Sequence, residues 1–419
     1  MISSRHNKII ISFFLLFSGL LFLGPAWTDQ YESRPVANAN ELLSGDLLQS
    51  AHHRIESIDI SGGFYEFDVD SEFGVYHVES MTLLGIRIDE IKTLAQAINQ
   101  FEAEDNRFSD KLRSQLHVSG ESAMDIITSP FGTASELAGQ MASNLGDTLA
   151  GVDVLAEKNN FRYENIEPAD SIAATHKRNI AFQLGLDLYS TNENVQAFLN
   201  TVTKARTSGR ISAGVAMVRH KRPEKFKIAN GRLKMAINLK LKNNSVSELN
   251  LINDQILSIM KIDQEVRDKF LHHNKFSPRH LTAITTYLNF LEDVRNRDAF
   301  VSLASSADSE AVALSFEQLT RMFVLYHEQL DPLRKLHILQ GITGAITKGG
   351  GIAFFVPDEI LFWTEDMNNK YRILAEKAKS SGFTEIELVV LGITTPVAKR
   401  NLANMGFTLH ENFLGMIRG

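Results

Sequence analysis

Cysteine is absent from all 419 residues. That excludes disulfides, thiolate metal sites, a cysteine nucleophile and a lipid-anchored cysteine behind any leader. Small exported domains often need disulfides, but roughly 390 residues can build a sufficient core without them. Other absences narrow the chemistry further. No G-x-S-x-G elbow occurs. The stretch "GITGAITK" lacks the Gly directly before Lys348 that a phosphate-binding P-loop requires. The Gly-rich run 349–351 precedes its strand instead of following it. "HEQLD" opens like the zinc-protease motif H-E-x-x-H, but Asp331 stands where the second His belongs, so it reads as a solvated helix face. There is no internal repeat and no low-complexity tract.

What is present begins with a leader. Arg5 and Lys8 precede an apolar run at 9–23, which Gly24-Pro25 breaks before Ala26-Trp27-Thr28. A positive head, an apolar middle and small residues read as a secretory signal over 1–28. The run 9–27 is nearly the ~20 residues that span a bilayer, so an uncleaved anchor is the alternative. Positive charge stays inside, and either reading sends the rest across the membrane. A cysteine-free exported chain suits the bacterial periplasm, so a periplasmic or secreted location is expected.

The apolar share of 44% is ordinary for a globular chain, and the net charge of −7 argues against bulk nucleic-acid binding. One segment reverses the average. Residues 204–242 hold twelve Lys or Arg against the single acid Glu224, so +11 sits in a chain of −7 and leaves −18 elsewhere. Its bases include Arg219, Lys221, Arg222, Lys225, Lys227, Arg232, Lys234, Lys240 and Lys242. "GRLKMAINLKLK" alternates, with Leu233, Met235, Ile237, Leu239 and Leu241 on one side and Arg232, Lys234, Lys240 and Lys242 on the other. That period of two predicts a strand with a buried and a positive side. Anionic lipid headgroups, an acidic partner or the acidic remainder of this chain would all suit it, and a plain solvated surface is the bland alternative. Phe226 is its only aromatic, which disfavours nucleic acid. Over 133–150, Ala134, Ala138, Ala142 and Gly146 form a small-residue ridge, read either as a buried bundle helix or as a segment that meets a partner or lipid.

The expected fold is α+β and mainly α-helical. Residues 54–80 switch apolar and polar at period two and predict a three-stranded antiparallel β-meander. Leu84, Ile88, Ile91, Ala95 and Ile98 place a covering helix after it, and the two form one unit over 29–118. A central helical bundle, 119–340, follows, with helix starts at Ser129-Pro130, Thr191-Asn192, Ser277-Pro278 and Ser315. The tail, 341–419, reads strand, helix, strand, helix, strand, a small parallel α/β (βαβαβ) unit. Thr395 caps its second helix, Pro396 takes the first position and Gly406 ends it.

In such units ligands bind at the carboxyl ends of strands, which picks out Gly392, Thr394 and Thr395 as candidate ligand residues for a phosphate or carboxylate. The alternative is that they form only a turn and a cap. "VAKRNLANMGFTL" is similar to the last helix and strand of GNAT-type acetyltransferases. That family's pyrophosphate-binding Gln/Arg-x-x-Gly-x-Gly/Ala has no match upstream, so no acetyl-CoA site is carried over. His272, His273 and His280 cluster without an acidic ligand and read as a helix end, not a metal site. Adjacent acids such as Asp89-Glu90 and Glu365-Asp366 face apart on helices and read as helix surface. No cofactor and no catalytic residue is assigned. The expectation is an exported protein that works by association with a membrane surface or a partner. The alternative is an enzyme with a pocket at the tail's strand edges, using Thr394, Thr395 and His410.

Overall fold

The computed structural model describes residues 31–116, 172–210, 229–413 and 415. The leader, the ridge 133–150 and the start at Ser129-Pro130 lie outside them. So do Arg219, Lys221, Arg222, Lys225 and Lys227. Among the described residues no helix is long and apolar enough to cross a membrane.

Two short helices, α1 (Ala39–Leu42) and α2 (Gly45–Leu48), lead into the meander of β1 (His53–Ser61), β2 (Phe64–Ser71) and β3 (Gly74–Val78). The three strands pair antiparallel in sequence order. A bulge interrupts the β1–β2 register between Ile55 and Ser57, so Glu56 is the extra residue that resets the alternation. Helix α3 (Met81–Glu104) covers the inner face with Leu84, Ile88, Ile91, Ala95 and Ile98, all buried. Helices α4 (Asn106–Leu116), α5 (Ile172–Leu184) and α6 (Glu193–Thr207) complete this first core through Leu112, Ile180, Phe198 and Val202. The Asn192 side chain caps α6 by accepting from Asn194 N.

The second core is helical. It gathers α7 (Ala229–Asn243), α8 (Val246–Ile259), α9 (Gln264–Leu271), α10 (Pro278–Phe290), α11 (Arg297–Ala304) and α12 (Glu310–Gln329). Ser277 caps α10 in a reciprocal box with His280. Two sequence readings change here. Helix α12 starts at Ser309, which accepts from Val312 N, and not at Ser315, whose hydroxyl bonds back to Ala311 O from the helix interior. The bundle also ends at Gln329, eleven residues before Gln340, because β4 (Leu333–Leu339) and β5 (Ile342–Thr347) form a hairpin there.

That hairpin makes the tail sheet mixed. Its order is β10-β8-β6-β5-β4: β4, β5 and β6 (Ile352–Val356) run antiparallel, while β6, β8 (Ile386–Val390) and β10 (Phe407–His410) run parallel. Helices α13 (Glu365–Ser380) and α14 (Pro396–Met405) make the crossovers. Both faces are covered. Leu336, Ala345, Ala353, Phe355 and Val389 enter the helical core, whereas Ile352, Phe354, Ile386 and Leu388 meet α13 and α14 in a third core. Two-sided burial is why β6 is apolar at every position.

Candidate functional site

The carboxyl edge of β6 and β8 is where the fold joins its parts. Past their paired region the chain forms a second short parallel pair, β7 (Ile360–Leu361) and β9 (Ile393–Thr394). Leu391 N donates to Val356 O at 3.0 Å, Gly392 N to Asp358 O at 2.9 Å and Ile393 N to Glu359 O at 3.0 Å. Thr395 N donates to Leu361 O at 2.9 Å. A Cβ on Gly392 would lie 1.8 Å from Glu359 O, so glycine is what lets the two strands approach.

The three predicted ligand residues are thus brought together, with their backbone amides already engaged, while the Thr394 hydroxyl is buried without a hydrogen-bond partner. Thr394 N donates to a Glu411 carboxylate oxygen at 3.1 Å. The Thr395 hydroxyl accepts from Ala398 N at 3.3 Å and donates to Glu32 Oε2 at 2.6 Å. Trp363 N donates to that same oxygen at 2.6 Å. Carboxylates of the chain itself stand where an anionic ligand was expected. His410 pairs with Glu387 of the neighbouring strand at 2.5 Å.

A small cleft opens beside this edge, lined among others by Glu79, Ser80, Thr82, Ser315, Gln318 and Glu359. Its volume of about 10 Å³ is room for about one water. Glu359 is one of its lining residues. The side chain is 2% exposed and accepts from Met81 N at 2.7 Å, Thr82 N at 3.2 Å and Tyr65 N at 3.4 Å. It thereby caps α3 from another part of the chain, with Ser80 accepting from Leu83 N at 2.9 Å. Burial pushes the acid of another lining residue, Glu79, up to about 7, with His77 opposing and Glu66 and Glu310 adding to the rise. Gln318 Nε2 and Thr82 Oγ1 are buried without a hydrogen-bond partner. Next to Glu359, Asp358 is fully buried and both of its carboxyl oxygens lack a hydrogen bond. Burial raises this acid above the carboxylate range, with Lys370 opposing. Burial also lowers the Lys370 ammonium, with Asp358 opposing. The arrangement can hold a proton near neutral pH beside a cleft about one water in size. Asp358 and Glu359 were not among the sequence candidates. The signal for them was an acidic pair directly after an apolar strand, at its carboxyl end.

The basic segment divides. "GRLKMAINLKLK" lies within α7 and is not a strand. Leu, Met, Ala, Lys and Arg favour helix, Ile237 is the only β-branched residue, and Leu233, Ile237 and Leu241 recur every fourth position. Ile237 and Leu241 enter the helical core with Leu233 packed against it. Met235 and Leu239 turn outward, 36% and 42% exposed, and Arg232 is exposed beside them. Lys234 is half-buried on the same helix. Lys240 donates to Thr286 Oγ1 at 3.0 Å, and burial lowers its ammonium. Lys242 stands 4.7 Å from the Phe182 ring centre.

Elsewhere, Glu90 is not helix surface. It is 3% exposed and accepts from Arg87, Ser190 and Asn192, which ties α3 to the turn before α6. His272 Nδ1 meets Asp268 O at 2.9 Å, and burial lowers His273 to about 4. No protein family, curated protein or solved structure matches this chain.

Proposed function

We propose that the chain is an exported protein that works by association, through the basic segment around α7, with an anionic membrane surface. The observation that carries this reading is the outward face of α7. Arg232, Met235 and Leu239 fall at i, i+3 and i+7, so a helix whose other side is in the core offers solvent a base and two apolar side chains. Charge complementarity supplies the partner's chemistry. The residues just before α7 hold Arg219, Lys221, Arg222, Lys225 and Lys227, and each base near an anionic leaflet contributes about 1 kcal/mol. Apolar residues flanked by bases are the composition that settles in a headgroup layer. The leader over 1–28 supports delivery to that surface. The cleft at the tail edge, with room for about one water, gives the enzyme alternative little support.

The test is co-sedimentation of the full chain with phosphatidylglycerol vesicles and with phosphatidylcholine vesicles. Binding to the first is expected at low ionic strength, and it weakens severalfold when salt rises to about 0.5 M, because screening shortens the reach of surface charge. The triple variant Arg232→Glu, Met235→Ser, Leu239→Ser should lose most of that binding. Equal binding of variant and parent, or equal binding to both vesicle types, would sink the reading.

A further inference from the structure

The link between β6 and β7 holds the meander to the tail. Glu359 N and Ile360 N both donate to Gly63 O, at 2.8 and 3.0 Å, so the β1–β2 turn docks directly on this link. The Glu359 carboxylate adds the three amides of Tyr65, Met81 and Thr82. Asp358 sits inside the same contact. A Cβ on Gly63 would lie 3.0 Å from its Cγ, so the carboxyl group is pressed against the turn. The side chain is 0% exposed and neither oxygen has a hydrogen-bond donor. The charged or titratable groups facing it are Lys370 and Tyr371 from α13 and Glu359 from its own link. The Gly63 turn adds no charge. A carboxylate here has lost its water and gained no donor, so the neutral acid is the form that fits.

We propose that protonated Asp358 is the form that locks the meander turn onto the tail, and that its ionisation loosens this seam. The device gives the protein a tighter state in acid surroundings and a looser one at neutral pH. The sign follows from linkage. Burial raises the native acid above its unfolded value, so the stability it contributes is complete below the unfolded value and is lost as pH climbs through the native one. Burial lowers Lys370, so its own effect runs the other way and belongs to alkaline pH, where the native ammonium gives up its proton first.

Hydrogen–deuterium exchange on the full chain reads this directly. Peptides that contain Tyr65, Thr82 and Ile360 are compared with the β8 strand at about pH 5 and about pH 7.5, after correction for intrinsic rates. The seam's protection relative to β8 is expected to fall about tenfold between the two, and Asp358→Asn should flatten that fall. A ratio that stays constant in the parent, or that falls equally in Asp358→Asn, overturns the proposal. Glu79→Gln removes the other raised acid nearby and should keep the fall. If it abolishes the fall, Asp358 is not the group. Should Asp358→Asn not fold, Lys370→Met removes the facing cation and should enlarge the fall, and an unchanged fall overturns the proposal.

Discussion

A methyl group on Gly392 would start 1.8 Å from the carbonyl oxygen of Glu359 and 2.3 Å from its carbonyl carbon. Both atoms are backbone, so no side chain can swing aside. The strands β7 and β9 would have to separate and give up the bonds from Gly392 and Ile393 to Asp358 and Glu359. Overpacking of this kind costs about 3 kcal/mol, against less than about 0.5 kcal/mol for a substitution that meets nothing. Gly45 is the internal control, since a Cβ there finds no atom within 4 Å. Gly392→Ala should therefore lower the urea midpoint clearly while Gly45→Ala leaves it in place. Equal midpoints would mean that this close approach does not hold in solution. At this scale the sequence signal and its meaning part company. Gly392 stood out as a glycine after a strand, which suits a ligand loop, yet its use is to admit the chain's own backbone.

Helix α3 shows how an element draws on distant residues. Its first turn offers free amides, and two groups answer them: Ser80 from the preceding residue and Glu359 from the tail. Ser80→Ala should cost about 1 kcal/mol, the usual value of a side-chain cap. Glu359→Gln keeps the shape but removes charge-assisted acceptance from buried amides, and should cost about 2 kcal/mol or more. Chemical denaturation of both variants checks the order, and a Ser80→Ala loss larger than that of Glu359→Gln would contradict it. Local periodicity made much of the fold legible. The meander, the apolar stripe of α3, the cap at Ser277 and the strand–helix order of the tail are all written in nearest neighbours. The failures come where a second period or a distant partner decides. In α7, alternation and every-fourth spacing coexist in the same residues, and the core chose the helical one through Leu233, Ile237 and Leu241. The β4–β5 hairpin was hidden because a bulge between Leu333 and Lys335 sets Leu333 and Leu336 three apart, a helical spacing, although Asp331-Pro332 breaks the run after α12. Glu359 could not be seen as a cap because its amides lie 277 and 278 positions away.

The tail sheet makes one unit of two cores. Along β6, Phe355 points into the helical core and Phe354 into the core of α13 and α14, so neither core can come apart without breaking the same strand. Ile360 of the adjoining β7 belongs to the meander core, which brings the third core to the same place. Phe323 is a suitable probe of this coupling. It is fully buried on α12, with its ring 4.9 Å from Phe355 and 5.2 Å from Phe300. Truncating such a ring removes both its transfer energy and its neighbours' contacts, about 3–5 kcal/mol in all. The reporter is Trp363, which lies on the far side of the sheet, 1% exposed and stacked on Tyr371 at 6.3 Å. Replacing Trp27 by Phe leaves Trp363 as the sole tryptophan of the two in the chain. If the sheet couples the cores, Phe323→Ala should shift the emission of Trp363 and the far-UV ellipticity to the same lower midpoint, since a two-state transition has no separate step for either probe. An emission midpoint that stays at its parent value while the ellipticity moves would show that the tail melts apart from the bundle, and that a strand shared between two cores does not bind them into one cooperative body.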